Sequence, residues 1–196
     1  MKKFSIFLIA MAAAFTGYAQ FEQGRKLVGG SVSFTTTTNK DKLNGSTNTN
    51  GKQTSFSVAP NFGYFVIDNL AVGAGLEIGV SSYKPENSNN KSTGTGFVFT
   101  PLVRYYLPVN VFFHGEFGVG SGKTKTTNGN NSFETKSAIT NWALAAGYAI
   151  FLNESNSVAI EPMLGYGSDV YKDKDSKVKD IDNGLFLKVG FQIYLD

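Results

Sequence analysis

The sequence contains no cysteine, one histidine and five prolines among 196 residues. The absence of cysteine excludes a disulfide framework and any zinc or iron–sulfur site bound by thiolates. A single imidazole, that of His114, also excludes a histidine-rich metal site. Residues 169–182 alternate acids and lysines but lack the glycine and the closing glutamate of a calcium loop, so we expect a solvated loop tip, with loose cation binding as the lesser alternative. We therefore expect no cofactor and no metal.

The chain also has little excess of one sign of charge over the other. The formal net charge is +3, and removing Lys2 and Lys3 from that sum leaves +1. A chain so close to neutrality gives no electrostatic reason to expect a nucleic-acid partner. After residue 19, no stretch reaches the roughly 18 apolar residues of a membrane helix.

The first nineteen residues have the pattern of an export signal. Lys2 and Lys3 give a basic start, residues 4–15 form an apolar run, and small residues follow before the expected cut. The alternative is an uncleaved membrane anchor, for which the run is short. We expect residues 1–19 to be a cleaved signal peptide that directs the chain into the general secretory route. Residues 20–196 then form one domain, since no proline-rich linker divides them.

The strongest pattern in the remaining chain is alternation with a period of two, which predicts β-strands. It returns in eight segments, and in each one register is almost wholly apolar. These segments are residues 28–34, 56–64, 72–80, 97–107, 113–119, 138–150, 158–166 and 185–195.

The connections between these segments alternate strictly between short and long. The short ones are residues 66–69, 108–110 and 152–156. The long ones, rich in Asn, Ser, Thr and Lys, are residues 37–53, 84–95, 121–135 and 168–182. An even number of strands with this alternation is typical of an up-and-down membrane barrel, which has tight periplasmic turns at one end and extracellular loops at the other. We expect four such loops.

The second register of each strand indicates which face points outward. In the third strand it consists of Ala71, Gly73, Gly75, Glu77, Gly79 and Ser81. Alternation alone would also fit a soluble barrel or sandwich. In such a fold the second register would face water and carry long polar side chains, whereas these small side chains fit a narrow lumen. The prediction is an all-β fold: an eight-stranded antiparallel up-and-down transmembrane β-barrel whose apolar side chains face lipid and whose lumen is filled.

Aromatic residues cluster beside the proposed short turns. Rings with polar tips collect at membrane boundaries, so we interpret them as a girdle, with scattered strand-forming aromatics as the alternative. They are Tyr64, Phe65, Tyr105, Tyr106, Phe112, Phe113, Tyr148 and Phe151.

Six polar or charged residues fall in the lumen register and form the candidate site: Glu77, Arg104, His114, Glu116, Glu161 and Lys188. Folding the fourth and fifth strands about Val109 places Arg104 opposite His114 and diagonal to Glu116. Because charges inside a narrow barrel need partners, we expect structural ion pairing, with a polar solute path or catalysis as alternatives. No serine neighbours His114 by register, so we predict no catalytic residue.

Residues 60–73 read PNFGYFVIDNLAVG, and residues 104–108 read RYYLP. With the start after Ala19 and Gln20, these hairpin patterns resemble the outer-membrane β-barrel domain proteins common in Bacteroidetes, grouped as OmpA-like or porin-family small barrels. The resemblance covers nearly the whole mature chain. It implies a barrel in the outer membrane of a Gram-negative cell envelope, without a defined ligand or catalytic residue.

The carboxyl end is similar to the signal that the barrel-assembly machinery reads on a last strand. Lys188, Gly190, Ile193 and Leu195 have its polar, glycine, hydrophobic, hydrophobic spacing, although such signals usually finish on an aromatic residue. An ordinary edge strand is the alternative. The expected partners are outer-membrane lipid, the assembly machinery, periplasmic chaperones and an extracellular ligand contacted through the loops.

Three functions remain open at this point. The first is a non-enzymatic structural or surface-interaction protein, a closed barrel that holds four hydrophilic loops outside the cell. The second is a narrow porin or transporter for small solutes, with a polar path past Arg104, Glu116 and Lys188. The third is an outer-membrane hydrolase or acyltransferase. We expect the first, since the long loops are where binding specificity would reside.

Overall fold

The computed structural model describes residues 21–43, 46–86, 90–129, 131–174 and 178–196. The predicted signal peptide lies outside these residues. In the part of the chain that the structure describes, no helix has the length and apolar character needed to cross a membrane. The strands are β1 Lys26–Leu43, β2 Ser46–Ile67, β3 Leu70–Pro85, β4 Lys91–Tyr106, β5 Val111–Asn128, β6 Asn131–Tyr148, β7 Ile150–Phe151, β8 Val158–Asp173 and β9 Lys179–Leu195.

The strands form one closed antiparallel wall. The short β7 continues β6 past Ala149, and both pair with β8, so the wall has eight strand positions. With β6 and β7 counted as one strand position, each position pairs with the next in sequence, and β1 pairs with β9 to close the sheet. The prediction of an all-β, eight-stranded up-and-down barrel is confirmed.

Three tight turns lie at one end of the barrel, which we call the turn end. They connect β2 to β3, β4 to β5 and β7 to β8, close to the bounds expected from sequence. Each contains an asparagine with positive φ: Asn69 at 67°, Asn110 at 62° and Asn156 at 49°. Asparagine tolerates this left-handed backbone better than most residues, which explains its place in all three turns.

The opposite end, the mouth, differs from the prediction of long loops. Strands continue through most of residues 37–53, 84–95, 121–135 and 168–182, which we call the mouth hairpins. Thr37 pairs with Gln53, for example, and Thr124 pairs with Thr135. The loop prediction was wrong because it judged these segments by their lack of apolar residues, whereas threonine-rich strands can be held by backbone pairing alone.

The apolar register faces outward along the whole wall. Leu76, Val103 and Leu144 are exposed on the outer surface, as are most of the other large apolar residues of that register. Polar groups such as Arg104 and Glu161 are buried inside. This arrangement inverts that of a soluble protein and suits a wall surrounded by hydrocarbon.

The seam between β1 and β9 is shorter than the other strand contacts. Residues 26–31 of β1 pair with residues 190–195 of β9, the last pair being Ser31 with Gly190. Toward the mouth, β1 remains paired with β2 as far as Leu43, and β9 remains paired with β8 as far as Lys179. Among the described residues, the two facing edges are therefore not paired with each other beyond Ser31.

Candidate functional site

The turn end of the lumen is closed by a hydrophobic plug. Phe21, which precedes β1, stacks on Tyr106 with ring centroids 4.1 Å apart, and the Tyr106 ring lies 5.3 Å from that of Phe112. All three side chains are buried. The complete plug is Phe21, Leu27, Phe65, Ala71, Tyr106, Phe112, Ala149, Ala159, Met163 and Tyr194.

This plug corrects the interpretation of the aromatic girdle. Tyr64, Tyr105, Phe113 and Tyr148 are exposed on the outer wall, as a girdle requires. Phe65, Tyr106 and Phe112 are instead fully buried inside, and Phe151 packs partly buried against the same cluster. Consecutive strand residues point to opposite faces, so adjacent aromatics such as residues 64 and 65 cannot both face lipid.

A buried ion pair lies next to the plug. The Arg104 guanidinium donates to Glu161 Oε2 over 2.6 Å, and the two side chains are 2% and 0% exposed. Tyr106 donates its hydroxyl to Glu161 Oε1 over 3.3 Å, and the Tyr194 hydroxyl donates to the same oxygen. Three donors thus compensate this carboxylate for its lost hydration. The two tyrosines were not among the predicted site residues. Tyr194 lies between the outward residues Ile193 and Leu195, so the alternation already placed it in the inward register.

His114 connects this pair to Glu116. Arg104 Nε donates to His114 Nδ1 over 3.0 Å, and His114 Nε2 lies 2.9 Å from Glu116 Oε2. Since guanidinium nitrogen only donates, Nδ1 must be unprotonated, and the ring is neutral with its proton on Nε2. Both ring nitrogens are then occupied, so His114 has none free to accept a proton from a nucleophile such as a serine hydroxyl.

The two remaining predicted residues, Glu77 and Lys188, line a small cavity beside this chain of contacts. Its volume is about 30 Å³, and Arg104, His114 and Glu116 also border it. Among the described residues, neither Glu77 nor Lys188 has an ion-pair partner within 4.0 Å. The structure therefore brings four of the six predicted residues into direct contact and places the other two nearby.

Gln192 also borders this cavity and was missed by the sequence analysis. Its side chain is fully buried, and neither its amide oxygen nor its amide nitrogen has a hydrogen-bond partner among the described residues. The cavity is large enough for about two water molecules. Gln192 could have been identified from the sequence, because it lies in the inward register of β9.

Toward the mouth, the lumen widens into a vestibule. Two adjoining cavities of about 450 and 520 Å³ share Ser33, Ser57, Glu77, Asn141 and Asp169 in their linings. The prediction of a filled lumen is therefore right for the half that contains the plug and wrong for the mouth half. Small inward side chains, expected to fill the barrel, leave it hollow there.

Two carboxylates of the stretch expected at a loop tip, those of Asp169 and Asp182, instead line the vestibule. Asp169 in β8 pairs with Asp182 in β9 and faces Asn141 in β6. In the described ranges, no group of three or more metal-binding side chains is arranged to hold an ion.

One ion pair lies within a mouth hairpin. Lys123 Nζ is 2.8 Å from Glu134 Oε2, and both side chains are about half exposed, at 47% and 46%. The hydrogen bond from Lys123 lowers the pKa of the Glu134 carboxyl. This contact and the hydroxyl pair of Ser92 and Thr126, 2.9 Å apart, connect strands β4, β5 and β6 beyond the apolar wall.

Comparison with known proteins gives a family and several similar barrels. A family model described as outer membrane protein beta-barrel domain matches residues 68–196. No curated protein sequence matches the chain.

Among solved structures, Ail, the attachment invasion locus protein of Yersinia pestis, has a TM-score of 0.52 at 13% identity and covers 88% of this chain and 99% of its own. Neisserial surface protein A has a TM-score of 0.48 at 13% identity, with coverages of 87% and 97%. OprG from Pseudomonas aeruginosa has a TM-score of 0.47 at 13% identity, with coverages of 90% and 98%. At such identities the likeness to Ail shows a shared fold.

Proposed function

This chain belongs to the outer membrane protein beta-barrel domain family, and from that premise we propose that it is a non-conducting surface-interaction protein. It is a multi-pass β-barrel of the outer membrane. Its wall anchors the protein in lipid, and its mouth hairpins face the outside of the cell, where they contact an extracellular ligand. Its turn end faces the periplasm.

The observation that carries this proposal is the plug. Phe21, Tyr106 and Phe112 are each at most 1% exposed, and they lie across the lumen at the turn end. The buried pair of Arg104 and Glu161 lies directly above them, and the Arg104 guanidinium is 5.2 Å from the Phe112 ring centroid. A closed end of this kind blocks an axial water path.

The hairpins supply the surface-interaction part of the proposal. A strand needs about 9–11 residues to cross a membrane, whereas β1 has 18 and β2 has 22. The excess extends beyond the apolar wall as paired, polar strands. Such hairpins present side chains on a rigid support, which lowers the ordering cost of binding. The Yersinia pestis barrel of this fold is named an attachment invasion locus protein.

A conductance measurement tests the closed lumen. Purified protein in planar lipid bilayers is expected to give no regular current steps, because the plug leaves no axial opening. Reproducible unitary steps would reject the non-conducting barrel.

Cysteine labelling tests the orientation, since the natural chain contains no thiol. A membrane-impermeant maleimide applied to intact cells is expected to label Thr126→Cys in a mouth hairpin. It should not label Ser155→Cys in a turn until the cells are broken. The reverse pattern would overturn the placement of the hairpins outside the cell.

A narrow solute path is the second candidate, and the vestibule favours it. Its two cavities of about 450 and 520 Å³ would admit a small polar solute from the mouth. Passage would also require movement of the plug. Liposome swelling with small sugars, reduced when Glu116 or Lys188 is replaced by a bulkier residue, would support this path, and impermeable vesicles would eliminate it.

We further propose that the protein is not an enzyme, because both ring nitrogens of His114 are occupied. Cells that produce the His114→Gln variant should keep unchanged lipid and peptide profiles. A hydrolase or acyltransferase activity that disappears in this variant would contradict the proposal.

The biogenesis assignments remain predictions. Residues 1–19 are proposed as the signal peptide, and periplasmic chaperones and the assembly machinery as partners, with Lys188, Gly190, Ile193 and Leu195 as the assembly signal. In the structure, Gly190 and Ile193 pair with β1 at the seam. Leu195→Asp should lower the amount of heat-modifiable protein in the outer-membrane fraction, whereas Leu152→Asp in a turn should not. Membership of the Bacteroidetes group rests on residues 60–73 and 104–108 and on the start after Ala19 and Gln20, and it is also a proposal.

A further inference from the structure

The separated edges of β1 and β9 leave an opening in the upper half of the wall. Their pairing ends at Ser31 and Gly190. If the same register continued, Phe34 would lie opposite Leu187. Both residues belong to the outward apolar register, so the opening begins within the part of the wall that contacts lipid.

The exposure of the flanking side chains identifies this gap. Val32 and Phe34 on β1 are 67% and 70% exposed, and Leu185 and Leu187 on β9 are 79% and 77% exposed. Leu164, which pairs directly with Leu187 on the closed side, is 59% exposed. These four are the most exposed large apolar residues of the described chain because each lacks a neighbouring strand on one side.

The vestibule lies directly behind the opening. The cavity of about 450 Å³ is lined by the inward residues Ser33 and Lys188 and also by the outward residues Leu185 and Leu187. Its lining residues on both β1 and β9 place it directly behind their unpaired edges. The vestibule therefore borders the part of the wall where no strand pairing joins β1 to β9.

Unpaired strand edges at membrane depth are costly, because hydrocarbon offers their backbone amides and carbonyls no hydrogen-bond partner. Such backbone is tolerated where it lines a water-filled cavity. The vestibule provides that contact on its inner side, while the apolar flanks continue the lipid-facing wall on the outer side. Water and hydrocarbon therefore meet laterally at the seam, with no strand between them.

We propose that the seam is a lateral binding site for a single-chain amphiphile with an ammonium head group. The head group occupies the vestibule, and the alkyl chain lies between Phe34 and Leu187 and extends into the bilayer. Four carboxylates line this cavity against one ammonium group, which favours a cationic head. They belong to Glu77, Glu116, Asp169 and Asp182, and the ammonium to Lys188. The site does not depend on the role of the mouth hairpins.

Photolabelling in lipid nanodiscs tests this assignment. The probe is an alkyltrimethylammonium that carries a diazirine in its chain, and adducts are mapped by mass spectrometry. Adducts are expected to concentrate on residues 32–35 and 185–188 and to disappear with excess unlabelled probe. Equal labelling of Leu164, at the same height on the closed wall, would show ordinary lipid contact and overturn the proposal.

A reversible lock provides the matched control. A disulfide in the double variant Phe34→Cys, Leu187→Cys should close the seam and lower probe labelling by about tenfold, with recovery on reduction. A disulfide in Val28→Cys, Ile193→Cys joins residues that are already paired and should leave labelling unchanged. Each variant is its own folding control, because labelling is compared before and after reduction of the same folded polypeptide.

Three further outcomes would also overturn the proposal. Oxidation of the Phe34 and Leu187 pair as fast as the control pair would show that the seam is closed in the membrane. A disulfide-linked dimer of the Phe34→Cys single variant would show that a second copy pairs with the edge. Equal competition by an alkyl sulfate of the same chain length would reject the cationic head group.

Discussion

Replacing Glu161 by glutamine measures what the buried ion pair contributes to the barrel. The change keeps the shape of the side chain and an oxygen for the Tyr106 and Tyr194 hydroxyls, but it leaves the Arg104 charge buried without its counter-ion. Removing one partner of a buried pair costs about 3–5 kcal/mol. The Arg104 and Glu161 side chains are 2% and 0% exposed, so little solvent screening reduces that cost. We expect Glu161→Gln to lower the free energy of unfolding by about this amount.

A second variant separates charge from shape. In Arg104→Met combined with Glu161→Gln, no charge remains at this position, so the double variant should be more stable than Glu161→Gln alone. The assay is urea unfolding in lipid vesicles, with the folded fraction measured by the shift of the band on unheated gels. Glu134→Gln, which removes the carboxylate of an exposed pair in a mouth hairpin, should leave the midpoint unchanged.

The reasoning would be refuted if Glu161→Gln and Glu134→Gln had the same small effect. It would also be refuted if the double variant lost as much stability as Glu161→Gln and Arg104→Met lose together when each is measured alone. That result would mean that Arg104 and Glu161 do not act as a pair.

Other predictions follow from the plug, the wall and the hairpins. Phe21→Ala should destabilise the barrel by about 3–5 kcal/mol in the same urea assay, because it removes a buried ring from the plug. At Gly29, an added Cβ would lie 2.1 Å from a backbone oxygen of the adjacent strand, whereas at Gly184 it would meet nothing within 4 Å. Gly29→Ala should therefore lower the yield of folded band, and Gly184→Ala should not. Because Lys123 lowers the pKa of Glu134, their attraction is present above the ordinary carboxylate pKa and is lost as the pH falls through the lowered value. Lys123→Met should raise the Glu134 pKa in an NMR titration.

The alternation of apolar residues predicted the wall because a membrane barrel has only two faces, and each strand residue belongs to one of them. Leu76 and Leu144 are exposed outside, as their register required. The three short turns could also be predicted, since each has an asparagine where the chain needs positive φ. The register of a strand and the residues of a turn are local properties, so both can be predicted from short segments of the sequence.

The candidate site was only partly predictable. The pairing of Arg104 with His114 follows from the hairpin register, which fixes residues across one turn. The contact of Arg104 with Glu161 joins strands that are far apart in sequence and depends on how the barrel closes. The plug was missed for a different reason: alternation required Phe65 and Tyr106 to face inward, but their position beside the turns favoured the girdle interpretation.

The height of the hairpins and the open seam lie beyond such reasoning. Nothing in residues 37–53 distinguishes a mobile loop from a paired extension, because the stabilising groups are the backbone amides that every residue has. The divergence of β1 from β9 depends on the curvature of the whole wall, which no single segment of sequence encodes.

The continuity of the hairpins with the wall has a mechanical consequence. A pull on a hairpin tip along the barrel axis loads both of its strands together, and each strand can move only by sliding against its neighbour. Sliding breaks many backbone hydrogen bonds at once, whereas peeling would break them one by one. A force applied at the tip of β5 and β6 would therefore be distributed along the whole length of both strands in the wall.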